Sequence, residues 1–538
     1  MEQKNTYLGQ KGYTILKNEL TIEEQKKIRN DLTIKPYTPG APGGGGQATF
    51  PAYRESSNKM YVPHYYGIEQ YGSPKSYKIS EGENINIEFN GALRENQEVV
   101  VKTYMDHVEK CMYGGGLLEL PCAYGKTVLS LNIISRLKKK TFIIVHKEFL
   151  MNQWIERIHQ FLPKARVGKI QGQIIDIDNK DIVIGMLQSL SMKEYPASLF
   201  DSFGLTIIDE VHHISSEVFS NSLFKLVTKY MLGLSATMNR KDGTTKVFKM
   251  FLGDVVFKGK RDEERNVIVR AIEYNVDDDE FNNVVTDFRG SPAYSTMISK
   301  LCEYNRRSEF ILKVLTDMLL ENPLQQVMIL AHNKNLLKYL HDAIAHRNIA
   351  TVGYYVGGMK ESALKETETK KIVIATYAMA AEALDIKTLT TLIMATPKTD
   401  IEQSVGRILR DKHSNPLVVD IVDSHDLFKN QWQKRRKFYC KENYKIIYTT
   451  SQKYNTDTTT WRVSYEPKMS STLTCKPTTN TKTITTKSKA ASFKSNSSSD
   501  KSITNDSDIE EDEENVEIIS EQPKDIFSSG KCLLKFKK

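Results

Sequence analysis

Two clusters of residues have the types and spacing for chemistry on a polyphosphate. The first is Pro121-Cys122-Ala123-Tyr124-Gly125-Lys126-Thr127, set between the apolar run Leu117-Leu118-Glu119-Leu120 and a helical pattern. Strand, loop and helix in that order let backbone N–H groups and a helix N-terminus cradle phosphate. The loop from Leu120 to Thr127 would contact a nucleotide. Lys126 would neutralise its β- and γ-phosphates, and Thr127 would offer a hydroxyl to Mg²⁺. Leu120 stands where such loops usually carry their first glycine. A Gly-Lys-Thr triplet also fits an ordinary helix start with a surface lysine. The second cluster is Asp209-Glu210, which closes the apolar strand Leu205-Thr206-Ile207-Ile208. Ligands bind at the carboxyl ends of parallel strands. Asp209 would hold Mg²⁺ through water, and Glu210 would polarise the attacking water. Acids after a strand also occur as solvated turns.

The elements that must position these residues follow from periodicity. Short apolar runs alternate with helical stretches at Phe142–Val145, Ile182–Ile184, Leu205–Ile208 and Met231–Leu234, with amphipathic helices predicted over Val128–Lys139 and Met151–Phe161. A second series has strands at Val327–Leu330, Ile372–Ala375, Leu392–Met394 and Leu417–Val419. Continuous apolar strands between helices indicate parallel sheets covered on both faces. The organisation expected is an N-terminal accessory domain at 1–88 and a first α/β domain at 89–260. A connecting segment (261–305), a second α/β domain (306–450) and a disordered tail (451–538) follow. Thr21 and Glu24 predict a capped helix start, and Gly43-Gly44-Gly45-Gly46 predicts a flexible loop. Lys138-Lys139-Lys140 reads as a solvated helix end. Trp432, Arg435, Arg436, Phe438 and Tyr439 read as a helix packed on the second domain, with a base-stacking surface as the alternative.

Composition bounds the partners. Lys and Arg number 75 against 66 Asp and Glu, a net charge of +9. That excess suits a polyanion without requiring one. Six cysteines (Cys111, Cys122, Cys302, Cys440, Cys475 and Cys532) form no C-x-x-C pair, which argues against zinc and against a secreted disulfide framework. The polar N-terminus shows no signal-peptide core, and no apolar run reaches membrane-spanning length. An intracellular setting without membrane contact is expected. The tail is rich in Ser, Thr, Lys and Asn, carries an acidic run from Asp506 to Glu517, and ends on a basic, partly apolar stretch at 532–538. That end reads as a frayed terminus or a docking peptide.

Asp209-Glu210-Val211-His212 is a DExH box, and further blocks occur in order around it. They are Arg94-Glu95-Asn96-Gln97, Val145-His146-Lys147-Glu148, Met186-Leu187-Gln188-Ser189, Ser235-Ala236-Thr237, Thr376 to Asp385, and Gln403-Ser404-Val405-Gly406-Arg407-Ile408-Leu409-Arg410. Over about 90–440 the chain resembles superfamily 2 helicases, whose fold is two tandem RecA-like domains. The resemblance implies ATP and Mg²⁺ as cofactors and adenine reading by Gln97. It implies contact with the γ-phosphate or the attacking water by Gln403, arginine fingers at Arg407 and Arg410, and ribose contact or linkage to the last motif by Asp385. His212, Ser235, Ala236 and Thr237 would couple the phosphate site to strand grip. Lys147, Gln188, Ser189, Arg240 and Thr376 would touch the nucleic-acid backbone.

The form of several blocks, Val145 to Leu150 with Gln153-Trp154 among them, resembles the XPB-like group. Lys241 takes an acid's place in Arg240-Lys241-Asp242. The short N-terminal domain and the tail resemble versions encoded by large cytoplasmic DNA viruses. Those imply a DNA-dependent ATPase acting in transcription, including transcript release, in contact with transcription machinery. The first reading is a 3′-to-5′ DNA helicase or duplex translocase in transcription or repair, the polarity being what the family implies. The host cytoplasm or the virion is the implied location, with the nucleus as alternative. An RNA helicase is the second reading, since DExH boxes serve both polymers. A non-hydrolysing scaffold subunit is the third.

Overall fold

The computed structural model describes residues 4–37, 49–111, 113–121, 124–213, 216–238, 243–259, 266–382, 386–408 and 416–467. The glycine loop and nearly all of the Ser/Thr-rich tail lie outside these.

The first lobe is an eight-stranded sheet. Its strands are β1 (Gly114–Glu119), β2 (Thr141–Val145), β3 (Val167–Gln171), β4 (Ile174–Asp176), β5 (Ile182–Met186), β6 (Leu205–Ile208), β7 (Tyr230–Ser235) and β8 (Val255–Lys258). They lie in the order β4-β3-β5-β2-β6-β7-β1-β8, parallel except for the β3–β4 pair. The apolar runs have no polar alternation because both faces are buried. Phe142 and Ile144 enter one core and Ile143 and Val145 the other, as the two-residue period of a strand dictates. Helices α1 (Lys126–Leu137), α2 (Glu148–Phe161) and α3 (Leu187–Met192) follow β1, β2 and β5.

The second lobe repeats the plan with β9 (Ile268–Tyr274), β10 (Gln326–Ala331), β11 (Val352–Tyr355), β12 (Ile372–Thr376), β13 (Leu389–Met394), β14 (Leu417–Asp423), β15 (Lys445–Thr450) and β16 (Arg462–Tyr465). Their order is β11-β12-β10-β13-β14-β9-β15-β16, with only β15–β16 antiparallel. Helices α4 (Glu361–Glu368), α5 (Glu402–Arg407) and α6 (Asp426–Lys441) belong to it. The chain therefore has two tandem RecA-like α/β domains.

The domain limits differ from the expected ones. The stretch read as a connecting segment contains β9, a strand inside the second sheet, between β14 and β15. Val269 and Ala271 face one core while Ile272 and Tyr274 face the other. The second lobe also runs past 450. The β15–β16 pair and Trp461, 6% exposed, close its edge, although the local composition is already rich in Thr and Lys. At the other boundary, Ile85 and Ile87 are buried in the first lobe's core, and the Ile85 N–H donates to the Lys138 carbonyl at 2.9 Å.

The N-terminal domain is a five-stranded sheet covered by the helices Ile22–Asp31 and His64–Tyr71. Thr21 and Glu24 form the expected capping box, each side chain taking the other's backbone N–H. Leu8, Tyr13, Ile15, Met60 and Val62 join one continuous core with Phe142 and Ile144 of the first lobe.

Two basic stretches are structural. Lys140 is buried, not solvated: its Nζ lies 3.1 Å from Glu83 and 5.3 Å from the Phe203 ring. In α6, Trp432, Arg435 and Tyr439 are buried against the sheet, and Arg435 forks onto Asp420 through two bonds of 2.8 Å. The 432–439 segment is thus a packed helix, leaving no stacking surface at Trp432 and Tyr439. Among the described residues no helix is long and apolar enough to cross a membrane.

Removing one partner of a fully buried pair strands the other charge. Arg435→Ala is expected to destabilise the second lobe by about 3–5 kcal/mol, read as a lower thermal unfolding midpoint. A smaller loss is expected when Asp420 and Arg435 are replaced together by apolar residues.

Candidate functional site

The phosphate loop starts where β1 ends. Leu120 is fully buried, and its N–H extends the β1–β7 pairing by donating to the Ser235 carbonyl at 2.8 Å. The residue in the usual glycine place is therefore a core residue still in strand geometry. Further on, Gln97 (Nε2, 2.9 Å) and Arg94 (Nη2, 3.0 Å) both donate to the Tyr124 carbonyl. Gly125 then turns with φ of +89°, and a Cβ there would lie 2.4 Å from Gln97 Nε2. Only glycine satisfies both the left-handed backbone and that contact. Lys126 and Thr127 follow as the first turn of α1, with their N–H groups among those a helix start leaves unpaired. Gln97, expected to read adenine, buttresses the loop. Its Oε1 accepts the Arg94 N–H at 2.9 Å.

The acids arrive at the same sheet edge. Asp209 is 7% exposed at the end of β6 and accepts the Trp154 indole N–H at 2.9 Å. Burial, with the neighbouring Glu210 charge adding to it, pushes its carboxyl up to about 6, against the pull of Lys126 and the indole. Glu210 sits at φ of +49°, a costly conformation for a residue with a side chain. That twist delivers Oε1 to Lys126 Nζ at 2.7 Å. An ion pair so placed holds the carboxylate expected to activate water beside the lysine expected at the phosphates. In the sequence, Trp154 is legible only as part of a family-like block. Its contact with Asp209, between residues 55 apart, has no local signal.

β7 lies between β1 and β6, so its end, Ser235-Ala236-Thr237, emerges between the lysine and the acids. The Ser235 hydroxyl donates to the Thr237 carbonyl, so it must accept from His212 Nδ1, 2.8 Å away. His212 Nε2 is then an acceptor and takes the Gln403 amide N–H at 2.9 Å. Gln403 comes from the second lobe. Its helix α5 is anchored there by buried Ile401, Val405 and Ile408, so Gln403 is held by the second lobe while it grips the first. One directed chain, Gln403 to His212 to Ser235 to Thr237, crosses the seam. Arg407 closes α5, and its side chain lies outside the described residues, as do Arg410, Asp385, Arg240, Cys122 and Ala123.

The expected strand-contact residues of the first lobe gather at the ends of β2 and β5, which are neighbours. Lys147 precedes α2, and Gln188 Nε2 donates to the His146 carbonyl at 2.9 Å. Ser189 Oγ accepts the Gly172 N–H at 3.0 Å. Thr376 ends β12 in the second lobe. Across the seam, Asn152 Nδ2 donates to Glu361 at 3.0 Å and Lys365 Nζ to Glu156 at 2.8 Å. Both pairs are exposed and are worth little individually.

No group of three or more His, Cys, Asp or Glu with metal-ligand spacing occurs among the described residues. Mg²⁺ takes one or two protein oxygens and completes its shell with phosphates and water, and a hydroxyl and a carboxylate are oxygen donors of that kind. Thr127 and Asp209 are the residues that would hold it.

A family model described as the type III restriction enzyme res subunit matches residues 90–240. Protein L396 of Acanthamoeba polyphaga mimivirus, named as an ATP-dependent RNA helicase, is 36% identical over 452 residues, covering 81% of this chain and 85% of L396. The chain belongs to the superfamily 2 helicases. QP509L of African swine fever virus (isolate Tick/South Africa/Pretoriuskop Pr4/1996), with the same kind of name, is 28% identical to the helicase over 392 residues, 68% of this chain and 76% of that one. Protein 161L of Invertebrate iridescent virus 6, named as a helicase, is 26% identical over 387 residues, 67% and 85% respectively. The helicase is an ATP-dependent enzyme that uses ATP with Mg²⁺.

Two variants test this geometry. Gly125→Ala is expected to abolish measurable ATP binding in a fluorescent-nucleotide titration. Trp154→Phe removes a donor that pulls the Asp209 carboxyl down, so that acid should titrate higher still. Turnover at neutral pH should fall by about 10–100-fold, and the acid limb of the pH–rate profile should move to higher pH.

Proposed function

We propose that the helicase is a DNA-stimulated motor that steps 3′ to 5′ by closing its two lobes on ATP and reopening after hydrolysis. The observation that carries the coupling is the Gln403–His212–Ser235–Thr237 chain. It joins the second lobe to the carboxylate edge of the first through directed hydrogen bonds, so a change at the γ-phosphate moves both. In this reading Lys126 leaves Glu210 for the β- and γ-phosphates. Glu210, released, orients and polarises a water for in-line attack. Bound Mg²⁺ neutralises charge on the phosphate oxygens. Arg407 and Arg410 take up the charge that spreads over the transferring phosphoryl group. Lys147, Gln188 and Ser189 grip the backbone from the first lobe and Thr376 from the second, and alternating grip gives stepping.

DNA as the polymer is supported by the XPB-like form of Val145 to Leu150 and of Asp209-Glu210-Val211-His212. Work in transcription within an infected cell's cytoplasm or the virion is supported by the viral origin of L396, QP509L and 161L. RNA is the second reading, favoured by the names of L396 and QP509L.

Phosphate release measured with single-stranded DNA, duplex DNA and RNA decides between them. Stimulation by DNA and not by RNA is expected, and the reverse overturns the choice of polymer. Lys126→Ala and Glu210→Gln should each lower kcat by about 10³-fold or more. Full turnover in either variant would remove the site from the mechanism. His212→Ala cuts the chain at its middle and should leave basal hydrolysis while abolishing stimulation by nucleic acid.

A further inference from the structure

The N-terminal domain presents one sheet face to the core, and on the other the side chains of Tyr7 and Tyr61 flank Thr14, itself 1% exposed. Leu8, Tyr13, Ile15, Met60 and Val62 point inward. Registry places the alternate residues on the other face. Tyr7 pairs with Thr14 and with Ser76, Thr14 with Tyr61, Leu16 with Lys59, and Gly9 with Lys78. Tyr7 and Tyr61 are partly exposed and join no core cluster, Lys59 is partly exposed, and Lys78 is exposed. Lys78 Nζ sits 4.3 Å from the Tyr7 ring centre, Lys59 Nζ donates to the Tyr7 hydroxyl at 3.1 Å, and exposed Lys11 lies 5.4 Å from the Tyr61 ring. Three ammonium groups are thus interleaved with two aromatic rings on one surface, and the paired positions on that face carry no carboxylate.

One edge of that surface meets the first lobe. The Tyr195 hydroxyl donates to the Ser189 carbonyl at 3.0 Å. Lys225 binds the Lys193 carbonyl at 2.6 Å and the Glu194 carboxylate at 3.0 Å. Glu194 lies in the field of Arg54 and Lys11, which hold its carboxyl low after Lys225 itself. Arg54, which pairs with Tyr61, ties this face to the first lobe: its Nη2 donates to the Asn221 carbonyl at 3.3 Å and its guanidinium lies 5.5 Å from the Phe224 ring.

We propose that this sheet face binds a single-stranded segment of the nucleic acid on which the motor works. Lys11, Lys59 and Lys78 neutralise phosphates, and Tyr7 and Tyr61 stack on unpaired bases. Aromatic rings between cations suit a single strand better than a duplex, whose bases are already stacked on one another. The inference rests on the reading of the chain as a nucleic-acid motor.

The test is fluorescence anisotropy of the full chain with a labelled oligothymidylate of about twenty nucleotides, an oligouridylate of equal length and a matching duplex, across a salt series. The triple variant Lys11→Gln, Lys59→Gln, Lys78→Gln should weaken single-strand binding at least tenfold. Its log–log salt slope should become shallower by about 2, since each single-strand phosphate contact contributes roughly 0.7. Tyr7→Ala and Tyr61→Ala should each weaken binding by roughly tenfold with the slope unchanged. Tyr7→Phe and Lys59→Arg should bind like the parent, which separates stacking and charge from misfolding. Basal ATP hydrolysis should be the same in all variants. Unchanged single-strand affinity and slope in the triple variant would overturn the proposal, as would loss confined to the duplex. If the parent chain binds none of the three probes, the motor reading itself fails.

Discussion

A glutamine amide from one lobe held by a histidine ring of the other is the contact on which the account of this helicase depends. Gln403 donates to His212 only while the ring stays neutral with its proton on Nδ1. The Ser235 hydroxyl, committed to the Thr237 carbonyl, enforces that tautomer. Every member has a defined direction, so the chain cannot rearrange at one end without disturbing the other. Two sheets with separate cores thereby become one device at their carboxyl edges.

The nucleotide edge shows how paired charges prepare a site for a highly charged ligand. Lys126 and Glu210 neutralise each other at 2.7 Å, and the buried Asp209 is held between an indole donor and its acidic neighbour. The twisted backbone at Glu210 is the strained position of this edge, whereas Gly125 takes its left-handed turn at no steric cost, and both flank the candidate reacting groups. Strain concentrated at a site and supported by a rigid parallel sheet is the usual signature of a preorganised centre.

Much of this was legible in the residues alone, for reasons that differ by element. β1, β2, β6 and β7 announce themselves because a strand buried on both faces must be apolar throughout. The loop and the two acids announce themselves because few residue types do phosphate chemistry. β9 and β16 escaped because their sequences mix charged and β-branched residues. Only their place in the sheet, set by pairing with distant strands, makes Ile268–Tyr274 a strand of the second lobe. Lys140 escaped for a related reason: a lysine run looks solvated until a distant ring and Glu83 cover it. The Trp154–Asp209 bond and the support of Tyr124 by Gln97 are long-range contacts with no periodic trace. Likewise the lysine–tyrosine face of the N-terminal domain exists only once four strands are set side by side.

The most direct test of the central claim is a crystal structure of the full chain with Mg²⁺ and a non-hydrolysable ATP analogue. The account predicts Lys126 Nζ on the phosphates instead of on Glu210. It also predicts Gln403 and at least one of Arg407 and Arg410 within hydrogen-bonding reach of the γ-phosphate. An analogue held by the first lobe alone, with both arginines turned away from it, would contradict the account.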